Sequence, residues 1–153
     1  MIGRRTLLLG ALSAGLLSGC ARIGAPGLSL AGEGAIVTGK TLAKVNALRR
    51  EAGKPVLVAD RALGRSALDH ARYMARKGRM SHDHFARRMR RHGVSLPAAE
   101  NVAEGWNDVD SMFRSFEVSP KHRANMLGDF RRMGVAVARD RNGRAYWVMQ
   151  LSG

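Results

Sequence analysis

RMGVAVARDRNGRAYWVMQL, residues 132–151, decides the fold class. Residues 132–139 alternate, with Val135 and Val137 on one face. Residues 144–151 alternate as well, with Trp147, Met149 and Leu151 on one face. Asp140 to Gly143, DRNG, joins them, and Asn142-Gly143 is the dipeptide that a tight hairpin turn demands. Working upstream, everything before this hairpin reads as helix and connector. Thr38 to Glu51 repeats Leu42, Val45 and Leu48 at three-residue steps and is closed by Gly53. Pro55 to Val58 is a short extended link. Asp60 caps a helix that runs to about Lys77, with Gly78 as its stop and Leu63, Ala67, Ala71, Met74 and Ala75 on its apolar face. Phe85 to His92 forms a short helix with Phe85 and Met89 inward. Asn107 or Asp108 caps another, with Val109, Met112, Phe113 and Phe116 inward. Helices followed by a terminal hairpin predict an α+β fold.

The amino terminus is a targeting segment. Arg4 and Arg5 precede an apolar run, Thr6 to Leu17, which ends in Leu17-Ser18-Gly19-Cys20. The run is short for a membrane span. A Leu, two small residues and the chain's single Cys resemble the bacterial lipobox, which implies cleavage before Cys20 and its acylation. The expected organisation is a lipoprotein signal peptide over 1–19, acylated Cys20 with a flexible Gly-, Ala- and Ser-rich tether over 20–37, and one domain over 38–153. Ala21 after the Cys resembles the outer-membrane-sorted class, so the expected location is the bacterial cell envelope, lipid-anchored in the outer membrane and facing the periplasm. The arginine pair leaves Sec and twin-arginine export both open.

Composition narrows the partners. Twenty-six Lys and Arg against 12 Asp and Glu give a formal charge of +14. Removing residues 1–19 takes away only two arginines, so the basicity belongs to the folded part. Eight basic residues fall between positions 72 and 91: Arg72, Arg76, Lys77, Arg79, Arg87, Arg88, Arg90 and Arg91. Such a run is either a solvated face or a patch for anionic lipid and other envelope ligands. Nucleic acid is disfavoured as a partner, because the export signal argues against it and aromatics for base stacking are not interleaved.

Candidate chemistry gathers in three places. FEVSPKHRANML, residues 116–127, offers Ser119 as a cap, Pro120 for the first turn, and His122 within that turn. The electropositive helix start favours a neutral imidazole there. Ser81-His82 follows the second helix, with His84 two residues on as an alternative. Glu100 is flanked by Ala98, Ala99 and Val102, so it is expected to be at least partly buried and to require a partner. His70, beside the apolar face of its helix, reads as a structural histidine. Asn46 reads as a buried amide that ties a loop down.

The order Asn46-x-x-Arg49, Ser81-His82, Ala99-Glu100-Asn101-Val102, Ser119-Pro120-Lys121-His122-Arg123 and Tyr146-Trp147-Val148 resembles the CAP superfamily of cysteine-rich secretory proteins, antigen 5 and plant pathogenesis-related proteins, in its disulfide-free bacterial branch. The resemblance covers about residues 38–151. It implies an α-β-α sandwich, with helices on both faces of a small, mainly antiparallel sheet. It also implies a cleft in which His82, Glu100 and His122 converge, supported by Asn46 and Asn101. The family's second cleft acid has no clean counterpart: Ser119 stands near its place and Glu117 is only nearby. Two imidazoles and a carboxylate suit zinc or another divalent metal with one open position, the alternative being a purely structural cluster. The leading expectation is a monomeric, non-enzymatic binding module of the envelope, with lipid or sterol among its ligands. The alternative is a metal-dependent hydrolase acting through His82, Glu100 and His122.

Overall fold

A computed structural model describes residues 33–153. The expected signal peptide over 1–19, Cys20 and the expected tether as far as residue 32 lie outside the described residues. Within them, the elements run β1 (Gly34–Ile36), α1 (Thr38–Glu51), β2 (Val58–Ala59), α2 (Arg61–Lys77), α3 (Phe85–Arg91), β3 (Ala98–Glu104), α4 (Val109–Val118), α5 (Pro120–Met126), β4 (Arg132–Arg139) and β5 (Ala145–Ser152).

The hairpin is the centre of the sheet. β4 and β5 pair antiparallel with Val135 opposite Met149 and Val137 opposite Trp147. Asp140 Oδ1 accepts from the backbone N–H of Asn142 and of Arg144, and Gly143 takes φ +80, so the turn chemistry expected of DRNG is realised. The strand order is β1-β4-β5-β3, with β2 parallel to β4 and the other pairings antiparallel. The expected domain start at 38 moves upstream: Gly34–Ile36, assigned to the tether, pairs with Ala136–Ala138 of β4 as an exposed edge strand. Three exposed residues carry no alternation, so nothing marks them as a strand in isolation.

Both faces of the sheet are covered. On one, Val45 and Leu48 of α1, Met112 and Phe116 of α4 and Met126 of α5 pack on Met133, Val135, Trp147, Met149 and Leu151. On the other, Ala67, Ala71, Met74 and Ala75 of α2 pack on Val102, Ala136, Ala138, Tyr146 and Val148. This is the expected α-β-α sandwich, and every residue of β5 is buried as a consequence. Small residues let α2 lie flat on the sheet. A Cβ at Gly134 would come within 2.3 Å of the Gly64 nitrogen and the Leu63 carbonyl carbon. The caps follow the sequence for α2, where Asp60 accepts from Leu63 N–H and Gly78 closes the helix with φ 66. Ser119 sits at the α5 N-cap, but its hydroxyl makes no capping bond. Its carbonyl accepts from Arg123 N–H instead, and Pro120 opens the helix.

Candidate functional site

The site is built across β3, an outer strand of the sheet. Alternate residues of a strand point to opposite faces. Ala99 and Ala103 join the α1/α4/α5 layer, whereas Val102 joins the α2 layer. Glu100 therefore points toward α2 and α3, and Asn101 toward α5.

On the α2 side, Glu100 is 8% exposed and its carboxylate is fully engaged. Arg88 Nη1 donates to Oε2 at 2.8 Å and Arg88 Nη2 to Oε1 at 2.9 Å, a bidentate fork. Gln150, directly opposite on β5, donates to Oε2 at 2.7 Å. His82 Nδ1 donates to Oε1 at 3.0 Å. His70 Nε2 lies 3.8 Å from the same oxygen. Burial alone would push this carboxyl up. The hydrogen bonds from His82 and Arg88, with the charge of Arg88, more than offset it and bring the carboxyl down to about 2. The buried carboxylate thus has the partners its environment demanded. One of them corrects the sequence reading: Arg88 is not on a solvated face but buried. His70 is the buried structural histidine expected, and it lies beside the carboxylate.

The two imidazoles that remain open differ. The His82 side chain is 58% exposed, and its hydrogen bond to Glu100 raises its pKa above the usual histidine range. His82, not His84, makes this contact; His84 takes φ 58 and sits at the start of α3. His122 is half-buried, with its ring edge-on to Phe116 at 4.8 Å. Burial lowers its pKa, and the nearby His82 charge lowers it further; both favour the neutral form. Its backbone carbonyl accepts from Asn101 Nδ2 at 3.0 Å, and Asn125 Nδ2 donates to Asn101 Oδ1 at 2.8 Å. The structure therefore joins His82 to Glu100 directly and brings His122 to the other side of the same strand. Among the described residues, no hydrogen bond or ion pair links the His122 ring to Glu100.

Asn46 and Arg49 tie loops to α1. Asn46 Nδ2 donates to Leu57 O and its Oδ1 accepts from Leu57 N–H, pinning the α1–β2 link. Arg49, fully buried, donates to the carbonyls of Pro55, Met126, Gly128 and Phe130 and so holds the end of α5 against α1.

Among the described residues, no group of three His, Cys, Asp or Glu is arranged to hold an ion. Glu100 already accepts four hydrogen bonds, which fills the acceptor capacity of a carboxylate.

Comparison with known proteins agrees with this architecture. The sequence profile of the cysteine-rich secretory protein family, CAP, matches residues 42–151. No significant match is found among curated proteins. An outer surface protein of Borrelia burgdorferi superposes with TM-score 0.66 at 17% identity, over 78% of this chain and 97% of that one. An extracellular protein of Bacillus anthracis containing an SCP domain gives TM-score 0.66 at 22% identity, over 74% of this chain and 39% of that one. A cysteine-rich secretory protein of Staphylococcus aureus gives 0.63 at 22%, over 73% and 36%. The last two relatives are thus much longer than the part they share. The family match over most of the chain and the shared sandwich establish that this protein belongs to the cysteine-rich secretory protein (CAP) family.

Proposed function

We propose that the chain is a non-enzymatic, ligand-binding CAP module of the bacterial cell envelope, held there by a lipid on Cys20. The observation that carries this reading is the state of Glu100. Its carboxylate is spent on Arg88, Gln150 and His82, so it serves neither as general base nor as first-line metal ligand. A catalytic carboxylate needs a free lone pair near its substrate. The relatives described as outer-surface and extracellular proteins support the location, as does the lipobox-like end of the leader. The basic character of the α2–α3 region suits anionic envelope ligands, lipid headgroups among them.

One observation favours a second reading. A carboxylate that accepts from the Nδ1–H of His82 leaves Nε2 free, and this is how outer-shell carboxylates orient metal-bound histidines. A divalent cation would then rest on His82 and His122 with solvent completing its shell, and the protein would be a metal-dependent hydrolase with Glu100 in a supporting role. Elemental analysis of the purified full-length protein, with His122→Ala beside it, separates the two. Absence of metal after zinc incubation, with no ester or peptide hydrolysis, is the expected result. Near-stoichiometric zinc that is lost in His122→Ala, with hydrolysis lost on chelation, overturns the binding-module reading.

A further inference from the structure

Two helical faces meet across a cavity of about 360 Å³, whose wall also carries Arg88 and His70 from the Glu100 network. α2 contributes Arg72, Tyr73 and Arg76, and α3 contributes Arg87 and Arg91. The spacing of three and four residues puts each set on one helical face. Two carboxylates also line the cavity, and both are already paired. Asp69 lies 3.1 Å from His92 Nε2, and Asp83 accepts from the Tyr73 hydroxyl at 2.9 Å and from Arg79 at 3.3 Å. Arg76, Arg87 and Arg91 have no carboxylate partner among the described residues. Exposed guanidinium groups lining one cavity from two helices offer an anion several donors at once.

The wall carries a second requirement. His70 lines the cavity and is 1% exposed. Its Nε2 lies 2.6 Å from Ser81 O, which only accepts, so Nε2 carries the proton. Nδ1 is therefore a lone-pair acceptor, and it is buried without a partner. A buried acceptor of this kind calls for a donor. A fully ionised anion cannot supply one, and a hydroxyl can.

We propose that the α2–α3 cavity is a binding site for a phosphate ester that also bears a free hydroxyl, the chemistry of a glycerol phosphate, whether as a soluble ester or as the headgroup of a phospholipid. The phosphate sits between the arginines of the two helices, whose forks match its several oxygens better than those of a two-oxygen carboxylate. The hydroxyl donates to His70 Nδ1. This names the ligand class of the proposed binding module and rests on that reading.

The test is calorimetric titration of the full-length protein with glycerol 1-phosphate, methyl phosphate and acetate. Arg87→Gln/Arg91→Gln is compared with Arg50→Gln/Arg114→Gln, which removes the same charge from exposed positions on α1 and α4. Glycerol 1-phosphate is expected to bind, and to weaken by about tenfold or more in the first variant and not in the second. Methyl phosphate and acetate are expected to bind more weakly than glycerol 1-phosphate. Competition by phosphatidylglycerol vesicles, with none by phosphatidylcholine vesicles, assigns the site to a lipid headgroup; binding without such competition assigns it to a soluble ester. No binding overturns the proposal, and so does equal weakening in both variants, which would be diffuse charge attraction. Methyl phosphate binding as tightly as glycerol 1-phosphate overturns the hydroxyl contact with His70. These outcomes are independent of zinc content and hydrolysis, which decide the binding-module reading itself.

Discussion

Arg88→Met is the perturbation most directly set by the geometry. The Arg88 and Glu100 side chains are 10% and 2% exposed, joined by two hydrogen bonds of 2.8 and 2.9 Å. Methionine keeps the volume and removes the charge, leaving a buried carboxylate with Gln150 and His82 alone. Breaking one side of a buried pair costs about 3–5 kcal/mol, because the remaining charge is uncompensated. A second route gives a similar size. A carboxyl held at about 2, against an ordinary value of 4.5, gains about 3 kcal/mol from its native surroundings at neutral pH, at 1.36 kcal/mol per unit. Urea unfolding at pH 7 should therefore show Arg88→Met less stable by about 3–5 kcal/mol, with an unchanged m-value. Glu100→Gln should also destabilise, since it strands the buried guanidinium. The double variant should cost less than the sum of the singles by about 2 kcal/mol or more, as expected of side chains in direct contact. The deficit of Arg88→Met should shrink at acid pH, where the freed carboxyl, no longer held down, takes up its proton. A loss below about 1 kcal/mol, the scale of an exposed pair, or singles that simply add, would refute the argument that Glu100 depends on Arg88.

Two further outcomes follow from the same structure. Acid should destabilise the protein in two stages. Burial holds the folded-state pKa of His70 below 6.5, so its contribution is present above that value and is lost as pH falls through and below it. Glu100 is depressed from 4.5 to about 2, so its contribution is complete above 4.5 and is lost as pH falls toward 2. His82 runs the other way: its raised pKa gives a contribution that is full below 6.5 and fades as pH rises through the folded value. Unfolding midpoints that stay flat from neutral pH to below pH 4.5 would contradict this assignment. Gly134→Ala should cost about 2–3 kcal/mol in chemical denaturation, at the upper part of the range for overpacking, because the added Cβ meets α2 backbone at 2.3 Å and not a flexible side chain. A neutral result would show that α2 can lift off the sheet freely.

What the sequence made legible was whatever a local pattern encodes. The hairpin carried a period of two and a turn dipeptide, and α1 and α2 carried apolar steps with recognisable ends. Their bounds were accordingly readable to within a residue. Glu100 was legible as a residue in need of a partner because apolar neighbours bracket it. The identity of that partner was not. Arg88 was one of eight basic residues, and α3 spans only seven positions, too few for periodicity to say which arginine turns inward. His70 stood among Ala67, Ala71 and Met74, where burial was evident, but its neighbour Glu100 is thirty positions away in the chain. Arg49 reaches carbonyls as far away in sequence as Phe130, a tertiary arrangement no window of residues contains. β1 and β2 hold three and two residues, too short to show a period.

The pairing of Glu100 with Asn101 gains its meaning from the fold. Two consecutive strand residues necessarily face opposite layers. Glu100 fastens α3 and the loop carrying His82, while Asn101 fastens α5 through His122 O and Asn125. A dipeptide can bring both layers to one rim only on an outer strand, where side chains from either side approach the same border, and β3 is such a strand. A register slip of one residue would turn the Glu100 carboxylate into the Phe116 and Met126 layer, away from Arg88, and would leave the α5 carbonyl without its donor. The same requirement explains why the carboxylate is saturated: a charge that sets strand register at the meeting of two layers is stable only when its acceptor sites are filled. That leaves His82, His122 and the arginine-lined cavity, and not Glu100, to meet what lies outside.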